Sequence, residues 1–553
     1  MTGAYQPPVF SAPIDLDLSR NEGRPTVTSI DLDPEDLAMA TSRYPDTARL
    51  TRSVAARHGL PTGRVLVTAG GDDALFRCLL SSAGRAVVAT TPTFEMVRRY
   101  TAQLETPLIE VPWWDGAFPV DGFLAEAAGS PGMAVVVSPN NPTGNVVSRA
   151  GLRKVADVYS LVVLDAAYAE FADDDLTEAA LEMGNVVVIR TLSKAFGLAG
   201  LRVGYLLGAE EVVRRLAGFG SPYSMSALSS ALAAEALETR VGEAVAFAAA
   251  VSDRRRRLIA LLDELGSAPL PSQGNFVLAT DVDPSWLVPA AASLGIGLRS
   301  FPDRPELARC VRITVPASDA DFSRLEETLR SVLAPQALLF DMDGVLADVR
   351  DSFRAAIVAT AAQFGVSVTE ADIATAKARG NASDDWELTR SLCSSAGVDV
   401  PFETVQERFE DIYQGTNGRD GVKTRERLLI APDVLESWSS RYPLGVVTAR
   451  PRRDADEFLD RFGIGRFFST VVTREDAPSK PDPAPVRLAL SRLGVDRSWM
   501  FGDTVDDLTA ARGAGVVPIG VIVPGDDRSA LDACARVVAS VDEIEEVLNA
   551  TQS

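Results

Sequence analysis

Two segments of the sequence carry side chains whose types and spacing suit covalent chemistry. Lys194 follows an apolar run, Val186 to Ile189, which predicts a buried strand. An amine can condense with an aldehyde, whereas the guanidinium groups that dominate the basic residues of this chain cannot. Asp341 and Asp343 follow another apolar run, Ala337 to Phe340. This spacing predicts a nucleophilic carboxylate and a second carboxylate that transfers protons during phosphoryl transfer.

The residues around Lys194 predict a site for pyridoxal 5'-phosphate (PLP). Asp165 ends an apolar run, where its carboxylate would keep a pyridine ring nitrogen protonated. Tyr168 and Asn141 are expected to reach the hydroxyl group of the ring. The turn at Gly70-Gly71 precedes a predicted helix, whose amino end would bind a phosphate. The residues predicted to hold the phosphate or to stack on the ring are Gly71, Asp72, Asp73, Phe94, Thr191, Ser193 and Arg202.

Residues 15 to 332 resemble the fold-type-I aminotransferases, and among them the histidinol-phosphate aminotransferases. The resemblance implies a homodimer in which Tyr44, within Arg43-Tyr44-Pro45-Asp46, reaches the cofactor phosphate of the neighbouring subunit. It also implies small-molecule substrates, namely glutamate or 2-oxoglutarate and a phosphorylated ketone or amine. The positions that match the substrate-binding residues of the family are Asn21, Asn275, Arg299 and Arg312.

A second set of motifs follows Asp341 and Asp343 in the order that phosphoryl transfer requires. Thr448 would bind the phosphoryl oxygens, and Lys480 would stabilise negative charge on the nucleophile and the phosphoryl group. Carboxylates that meet a phosphate need a divalent cation, and Mg²⁺ prefers oxygen ligands. The predicted metal ligands are Asp341, Asp343, Asp503 and Asp507.

This second set resembles the haloacid-dehalogenase-type (HAD) phosphatases over residues 337 to about 548. The mostly helical insertion at about 350–435 matches the cap of that family. Two stretches of this insertion, 377–381 and 384–387, are interpreted either as substrate contacts or as solvated helix ends.

The fold class predicted for the chain is α/β, with a PLP-dependent transferase fold followed by a HAD-like domain with a helical cap. The expected first domain is 1–334, with a large part at about 40–245 and a small part formed by 1–39 and 246–334. The expected second domain is 335–553, with a core at 335–349 and 436–553 and a cap at about 350–435.

Composition narrows the possible partners and locations. The net charge of −22 disfavours binding to nucleic acid. No apolar run reaches 18 residues and no signal peptide is recognised, so we expect a cytoplasmic protein without a membrane span. The four cysteines are expected in the core, and His58 and the run Arg254 to Arg257 are expected on solvated helix faces. Residues 525–527 are expected to form a surface turn.

The pairing of the two sites suggests consecutive steps, because an aminotransferase of this type makes a phosphate ester and a phosphatase consumes one. Imidazole-acetol phosphate and glutamate would give histidinol phosphate and then histidinol. Ala166 stands where the family has an acidic residue, and the segment Ser19 to Gly23 matches only in part. Three alternatives therefore stay open: another phosphorylated substrate, a PLP decarboxylase of a phosphorylated amino acid, or a half that serves only as scaffold or regulator.

Overall fold

The computed structural model describes residues 6–24, 38, 40–129, 132–380, 384–416, 418–523 and 528–550. The chain divides into two compact units. The first unit consists of Met1–Pro8, Leu18–Pro284 and Leu298–Ser323, and the second of Val9–Asp17, Ser285–Gly297 and Arg324–Ser553. The domain limits expected from the sequence stay predictions.

The first unit is built on a seven-stranded sheet, whose strands lie in the order β2-β8-β7-β6-β5-β3-β4. Strands β3 to β7 pair in parallel, and β8 is antiparallel to both β2 and β7. The apolar run Val186 to Ile189 noted in the sequence forms most of β7, because a sheet buried on both faces requires continuous apolar residues. The strands are β2 Val65–Thr68, β3 Val87–Thr91, β4 Leu108–Pro112, β5 Met133–Val137, β6 Val162–Asp165, β7 Val186–Thr191 and β8 Gly204–Leu207.

Eleven helices and two short strand pairs complete the described part of the chain before residue 334. Strand β1 (Leu16–Asp17) pairs with β10 (Ile296–Gly297), and β9 (Phe276–Ala279) pairs with β11 (Val311–Thr314). The helices are α1 Ala48–His58, α2 Gly70–Leu80, α3 Glu95–Gln103, α4 Val120–Ala127, α5 Arg149–Ala156, α6 Thr177–Leu181, α7 Glu210–Ala217, α8 Ala227–Thr239, α9 Val241–Glu264, α10 Pro284–Ser293 and α11 Asp319–Leu333.

The second unit contains a six-stranded parallel sheet in the order β16-β15-β12-β17-β18-β19. The strand that carries Asp341 at its end, β12, lies in the middle of this sheet. A short antiparallel pair, β13 (Ala347–Asp348) with β14 (Arg427–Leu428), lies at the two ends of the helical insertion. The sheet strands are β12 Ala337–Phe340, β15 Leu444–Val447, β16 Phe468–Val472, β17 Ser498–Gly502, β18 Val517–Val521 and β19 Arg536–Val538.

The segment 350–435 is mostly helical, as the sequence predicts. It opens with a π-helical turn at Arg350–Arg354. The helices of this segment are α12 Ala355–Gln363, α13 Glu370–Ala378, α14 Asp385–Ser395, α15 Phe402–Gln414 and the start of α16 Pro432–Ser439. The remaining helices are α17 Arg452–Arg461, α18 Ala484–Leu493, α19 Val505–Gly513 and α20 Glu545–Ala550.

The expectation of solvated helix faces for His58 and for the run Arg254 to Arg257 is only partly confirmed. Arg256 and Arg257 are exposed, as expected. Arg254 and Arg255 are buried rather than solvated: Arg254 pairs with Asp319 at 2.9 Å, and Arg255 donates hydrogen bonds to backbone carbonyl groups. His58 is half-buried, with Nε2 3.1 Å from the hydroxyl oxygen of Tyr205. Burial lowers the pKa of His58 to about 4. Sequence periodicity did not reveal these contacts, because each depends on a partner distant in the chain.

All four cysteines are buried, which confirms their expected place in the core. The expected turn at 525–527, and Asn381 of the insertion, lie outside the described residues. Within the part of the chain that the structure describes, no helix combines the length and the apolar character needed to cross a membrane.

Candidate active sites

The first candidate site lies at the carboxyl ends of the parallel strands of the first unit, where ligands bind in open α/β sheets. Asp165 ends β6, Thr191 ends β7, and Lys194 follows three residues later. A cavity of about 840 Å³ opens here, with a smaller cavity of about 100 Å³ against the ends of the strands. Predicted residues that line one or both cavities are Asn21, Gly71, Asp72, Phe94, Asn141, Asp165, Tyr168, Thr191, Ser193, Lys194, Arg202, Arg299 and Arg312.

Burial shifts the pKa values of Lys194 and Asp165 in opposite directions. Burial and the nearby Arg312 lower the pKa of Lys194 to about 8, which favours the neutral, nucleophilic amine. Burial raises the pKa of Asp165 to about 7, although the backbone N–H of Ala167 donates to its Oδ1 at 3.1 Å. Asp165 therefore lies in surroundings that favour a cationic partner.

Tyr168 lies at the centre of a buried hydrogen-bond network. The side-chain amides of Asn21 and Asn141 donate to its hydroxyl oxygen at 3.1 and 3.4 Å. Arg312 donates from Nη1 to Asn141 Oδ1 at 2.7 Å, and Nζ of Lys194 lies 5.8 Å from the centre of the Tyr168 ring. Asn275 donates to the backbone carbonyl of Asn21 at 3.3 Å. Asn275 thus shapes the segment that carries Asn21 and does not line the cavity itself.

The predicted phosphate cradle is formed by the amino end of α2 and by three polar side chains. Gly70 has φ +83°, and a Cβ added there would lie 2.9 Å from Nη2 of Arg202, so glycine keeps this space open. The same Nη2 forms an ion pair with Asp72 at 2.8 Å. The hydroxyl groups of Thr191 and Ser193 lie 2.9 Å apart.

Two predicted cofactor residues lie away from the cavity. The carboxylate of Asp73 turns back to its own helix, where Oδ1 pairs with Arg77 at 2.9 Å and Oδ2 accepts from the N–H of Ala69. Tyr44 is 80% exposed and stacks on Tyr223, which is 61% exposed, with ring centres 4.5 Å apart. Two such exposed aromatic rings are unusual on a free surface.

The cavity also contains charged residues that sequence reasoning missed. Arg299, which was predicted, lies 3.6 Å from the carboxylate of Glu95. Arg304 was not predicted. It is buried, donates to the backbone carbonyl of Thr93 at 2.8 Å, and pairs with Glu306 at 2.9 Å. No motif surrounds Arg304, so only the folded chain reveals that it lines the cavity.

The second candidate site lies at the end of β12 in the second unit. Nζ of Lys480 donates to Asp341 Oδ1 at 2.7 Å and to Asp507 Oδ1 at 2.5 Å. Burial raises the pKa of Asp341 to about 7, and the ammonium of Lys480 opposes this effect. Burial would lower the pKa of Lys480, but the two carboxylates outweigh it and raise this pKa. Lys480 is therefore a fixed positive charge.

Three of the predicted metal ligands converge. Asp341, Asp503 and Asp507 each offer an oxygen atom, and these atoms lie within 4.8 Å of one another. Gly344 has φ +76°, and a Cβ there would lie 2.3 Å from Oδ2 of Asp503, so only glycine lets the loop approach so closely. Three hard oxygen donors at this spacing fit Mg²⁺.

Asp343, the fourth predicted ligand, lies outside this group. Its Oδ1 accepts two hydrogen bonds from Arg450, from Nη2 at 2.5 Å and from Nε at 2.8 Å. Its part in metal binding stays a prediction. Thr448, at the end of β15, is buried, and its Oγ1 accepts from the N–H of Arg450 at 3.1 Å. The sequence motif contains Arg450, but nothing in it indicated this contact.

The start of α14 in the insertion contacts the core of the second unit. Arg474 pairs with Asp384 at 2.9 Å, and its guanidinium lies 4.2 Å from the centre of the Trp386 ring. Burial would lower the pKa of Lys377, but nearby Asp385 and Asp503 outweigh this effect and raise it. Lys377, in the first of the two stretches singled out in the sequence, therefore lies near Asp503, a predicted metal ligand. Contact of either stretch with substrate stays a prediction.

Comparison with known proteins finds a family for each of the two parts of the chain. Residues 28–329 match the family model "Aminotransferase class I and II", and residues 338–521 match "Haloacid dehalogenase-like hydrolase". A histidinol-phosphate aminotransferase of Thermococcus kodakarensis is 34% identical over 297 residues, which cover 52% of this chain and 83% of the relative. An imidazoleglycerol-phosphate dehydratase of Phytophthora nicotianae is 46% identical over 197 residues, which cover 34% of this chain and 44% of the relative.

A solved structure agrees with the fold of the first unit. The histidinol-phosphate aminotransferase of Clostridium acetobutylicum has a TM-score of 0.51 and 17% identity, covering 57% of this chain and 98% of that one. At this identity the likeness concerns the fold alone. Since the first family model spans more than half of the chain and a HAD-like model follows it, the chain belongs to the class I and II aminotransferases and carries a HAD-like hydrolase domain.

Proposed function

We propose that this enzyme first transaminates a phosphorylated ketone and then removes the phosphate from the product. The most specific form of the proposal is that imidazole-acetol phosphate and glutamate give histidinol phosphate, which is hydrolysed to histidinol. One observation carries this proposal: a single chain contains both a cavity around Lys194 and a group of carboxylates suited to phosphate esters. The part of the chain with the cavity is similar to histidinol-phosphate aminotransferases.

The residues of the first cavity fit PLP. Asp165 suits a protonated ring nitrogen, and Tyr168 with Asn141 suits the ring hydroxyl group. The glycine turn at the amino end of α2, with Thr191, Ser193 and Arg202, suits the phosphate. When bound, PLP supplies an electron sink for breaking bonds at the substrate carbon.

Lys194 is assigned the proton transfers of transamination. Its lowered pKa leaves much of the amine neutral near pH 8, so Nζ can accept a proton from the substrate carbon and return it. Arg299 and Arg312 are assigned to the anionic groups of the substrates. A guanidinium binds a carboxylate and a phosphate with the same paired geometry, so one cavity can accept glutamate and a phosphate ester in turn.

The second site is assigned a two-step hydrolysis. Oδ of Asp341 attacks phosphorus, the bond from phosphorus to the ester oxygen breaks, and Asp343 gives a proton to the departing alkoxide. Water then attacks the same phosphorus and loses a proton to Asp343, which releases Asp341 and inorganic phosphate. Lys480 and Thr448 would stabilise charge on the phosphoryl oxygens, and Mg²⁺ would lie among Asp341, Asp503 and Asp507.

The names of the relatives support the choice of substrate. One is named for histidinol phosphate and the other for imidazoleglycerol phosphate, and both compounds are phosphate esters that bear an imidazole ring. The shared chemistry favours an imidazole-containing phosphate ester for this chain. Since the chain spans less than half of the second relative, that relative's own reaction is not assigned here.

The proposal is tested by supplying purified protein with PLP, Mg²⁺, glutamate and imidazole-acetol phosphate. We expect 2-oxoglutarate, histidinol and inorganic phosphate in equal amounts, measured by mass spectrometry and by a colorimetric phosphate assay. A protein that transaminates other substrates and hydrolyses other phosphate esters, but gives no histidinol, would contradict the substrate assignment.

A second candidate keeps both chemistries and changes the substrate. Ala166, buried directly after Asp165, replaces the acidic residue expected from the family and favours this alternative. A PLP decarboxylase of a phosphorylated amino acid belongs to the same group. Transamination consumes an amino-group acceptor in equal amount, whereas decarboxylation releases carbon dioxide without one, so an assay with and without 2-oxoglutarate distinguishes them.

We also propose a homodimer formed through the aminotransferase part, in the cytoplasm. The exposed pair of Tyr44 and Tyr223 supports the dimer, because a second copy would cover these rings. The mass in solution, measured by light scattering after size exclusion, tests this proposal. A monomer with full PLP content and activity would contradict it.

A further inference from the structure

Arg450 joins the predicted proton donor of the second site to the helical insertion. Its side chain is only 1% exposed. Nε and Nη2 donate to Asp343 Oδ1 at 2.8 and 2.5 Å, while Nη1 and Nη2 donate to the two oxygen atoms of Glu426 at 3.2 and 3.1 Å. Nη1 also lies 3.4 Å from the hydroxyl oxygen of Tyr413. One buried guanidinium therefore serves two carboxylates.

Aromatic rings and further hydrogen bonds fix the orientation of this guanidinium. Its Cζ lies 4.8 Å from the centre of the Phe353 ring and 5.2 Å from that of Phe458, distances at which a cation is attracted to a ring. Glu426 is itself held, because its Oε1 accepts from Tyr413 at 3.0 Å and from Ser352 at 3.2 Å. A buried, multiply bonded arginine has little freedom to reorient.

The partners of Arg450 come from both ends of the insertion. Ser352 and Phe353 lie in the π-helical turn where the insertion begins, and Glu426 directly precedes β14, where the chain returns to the core. Tyr413 lies near the end of α15. Arg450 itself follows β15 of the core sheet. The position of the Asp343 carboxylate is thus tied to the two connections between insertion and core.

Both contacts of Arg450 with Asp343 use the same oxygen atom. Among the described residues, Oδ2 of Asp343 accepts no side-chain or backbone hydrogen bond, and the Asp343 side chain is 20% exposed. An anchored Oδ1 leaves Oδ2 to carry the proton that the departing alkoxide needs.

We propose that Arg450 is a positioning residue for the phosphatase reaction, which anchors Asp343 through Oδ1 so that Oδ2 faces the departing oxygen, and that Glu426 and Tyr413 fix Arg450. This inference depends on the proposed role of Asp343 as proton donor. In that step the bond from phosphorus to the ester oxygen breaks, the oxygen keeps the electron pair, and the proton of Asp343 Oδ2 moves to it.

The leaving group gives a direct test. Benzyl phosphate releases an alkoxide that needs a proton, whereas p-nitrophenyl phosphate, of similar size, releases a stabilised phenolate that does not. The ratio of kcat/KM for the two esters isolates proton donation, because kcat/KM reports only the steps through loss of the alcohol. General acid catalysis contributes about 10²-fold or more, so Asp343→Asn should lower the benzyl-to-nitrophenyl ratio by about that factor.

Arg450→Lys should lower the same ratio by about 10-fold, because an ammonium cannot hold Asp343 and Glu426 with the geometry of a guanidinium. Arg441→Lys is the matched control: Arg441 also pairs with a glutamate, Glu545, and no contact links it to Asp343 among the described residues. This control should keep the wild-type ratio. The nitrophenyl ester serves in every variant as the internal measure of folded enzyme.

The outcomes separate the two ideas. If Asp343→Asn lowers kcat/KM equally for both esters, the proposed proton donation is wrong. Suppose that Asp343→Asn lowers the ratio. The role of Arg450 is then wrong if Arg450→Lys leaves the ratio unchanged, or if a folded Arg450→Lys protein, checked by circular dichroism, has kcat/KM lowered equally for both esters. If Arg450→Lys does not fold, Tyr413→Phe decides, since it removes one hydroxyl group from the cluster; an unchanged ratio there overturns the inference and a ratio lowered several-fold supports it.

Discussion

Lys480 lies between the predicted nucleophile and a predicted metal ligand, with Nζ 2.7 Å from Asp341 Oδ1 and 2.5 Å from Asp507 Oδ1. The ammonium therefore offsets the repulsion between two buried carboxylates that must both face an anionic substrate. Loss of this charge would leave the carboxylates uncompensated, a change that is strongly unfavourable in a buried site.

Replacing Lys480 should disable the phosphatase alone. Lys480→Met is expected to lower phosphate release by about 10²-fold or more, because a positioned charge of this kind is among the largest contributions to such reactions. The aminotransferase activity of the same sample should stay unchanged. Lys423→Met is the matched control, since Lys423 forms a surface ion pair with Glu457. Equal phosphatase activity in the two variants would refute the role of Lys480.

Removal of divalent metal should separate the two activities. Chelation with EDTA is expected to abolish phosphate release and added Mg²⁺ to restore it, because Asp341, Asp503 and Asp507 supply the oxygen ligands. Asp503→Asn should raise the Mg²⁺ concentration needed for half activity by about 10-fold. Transamination should not respond to EDTA. Undiminished phosphatase activity in metal-free buffer would contradict this site.

Loading of PLP onto the apoprotein should depend on pH in a defined direction. Burial and Arg312 lower the pKa of Lys194 to about 8, and only the deprotonated amine attacks an aldehyde. The rate of covalent loading, followed by absorbance, should therefore rise with pH and level off above about 8. An amine with the ordinary pKa of lysine would still gain reactivity at pH 10, and that result would show that Lys194 is not buried as described.

Tyr44 should influence PLP binding only in the dimer. The ring is exposed within one chain, and the proposed contact reaches the cofactor phosphate of a second copy. Tyr44→Phe should weaken PLP binding by several-fold, the effect of losing one hydrogen bond to a charged group. Tyr223→Phe is a suitable control, because the stacked ring is retained while Tyr44 keeps its hydroxyl group. Equal PLP affinities of the two variants and the wild type would count against the contact.

The elements that position both sites were largely predictable from the sequence. Strand β12 has the predicted bounds, because a continuous apolar run such as Ala337 to Phe340 is typical of a strand buried on both faces. Lys194 and Asp341 were found because each follows such a strand, and Asp165 because it ends one. The motif therefore fixes the end of the sheet at which these side chains lie.

What the sequence did not reveal is which distant side chains meet. Arg304 and Glu426 belong to no motif, and each acts through partners far away in the chain. The orientation of the Asp73 side chain could not be predicted either. Whether its carboxylate faces the cavity or pairs with Arg77 depends on how α2 packs. The burial of Arg254 and Arg255 was missed for the same reason, whereas Arg256 and Arg257 are exposed as expected.

The most direct test of two separate sites in one enzyme is a pair of substitutions measured in both assays. Lys194→Ala should remove the absorbance of covalently bound PLP and all transamination, yet keep phosphatase activity on p-nitrophenyl phosphate. Asp341→Asn should abolish phosphate release and keep transamination. A mixture of the two variants should restore formation of phosphate from glutamate and the phosphorylated ketone. Loss of both activities in either variant, with the protein still folded, would contradict the account.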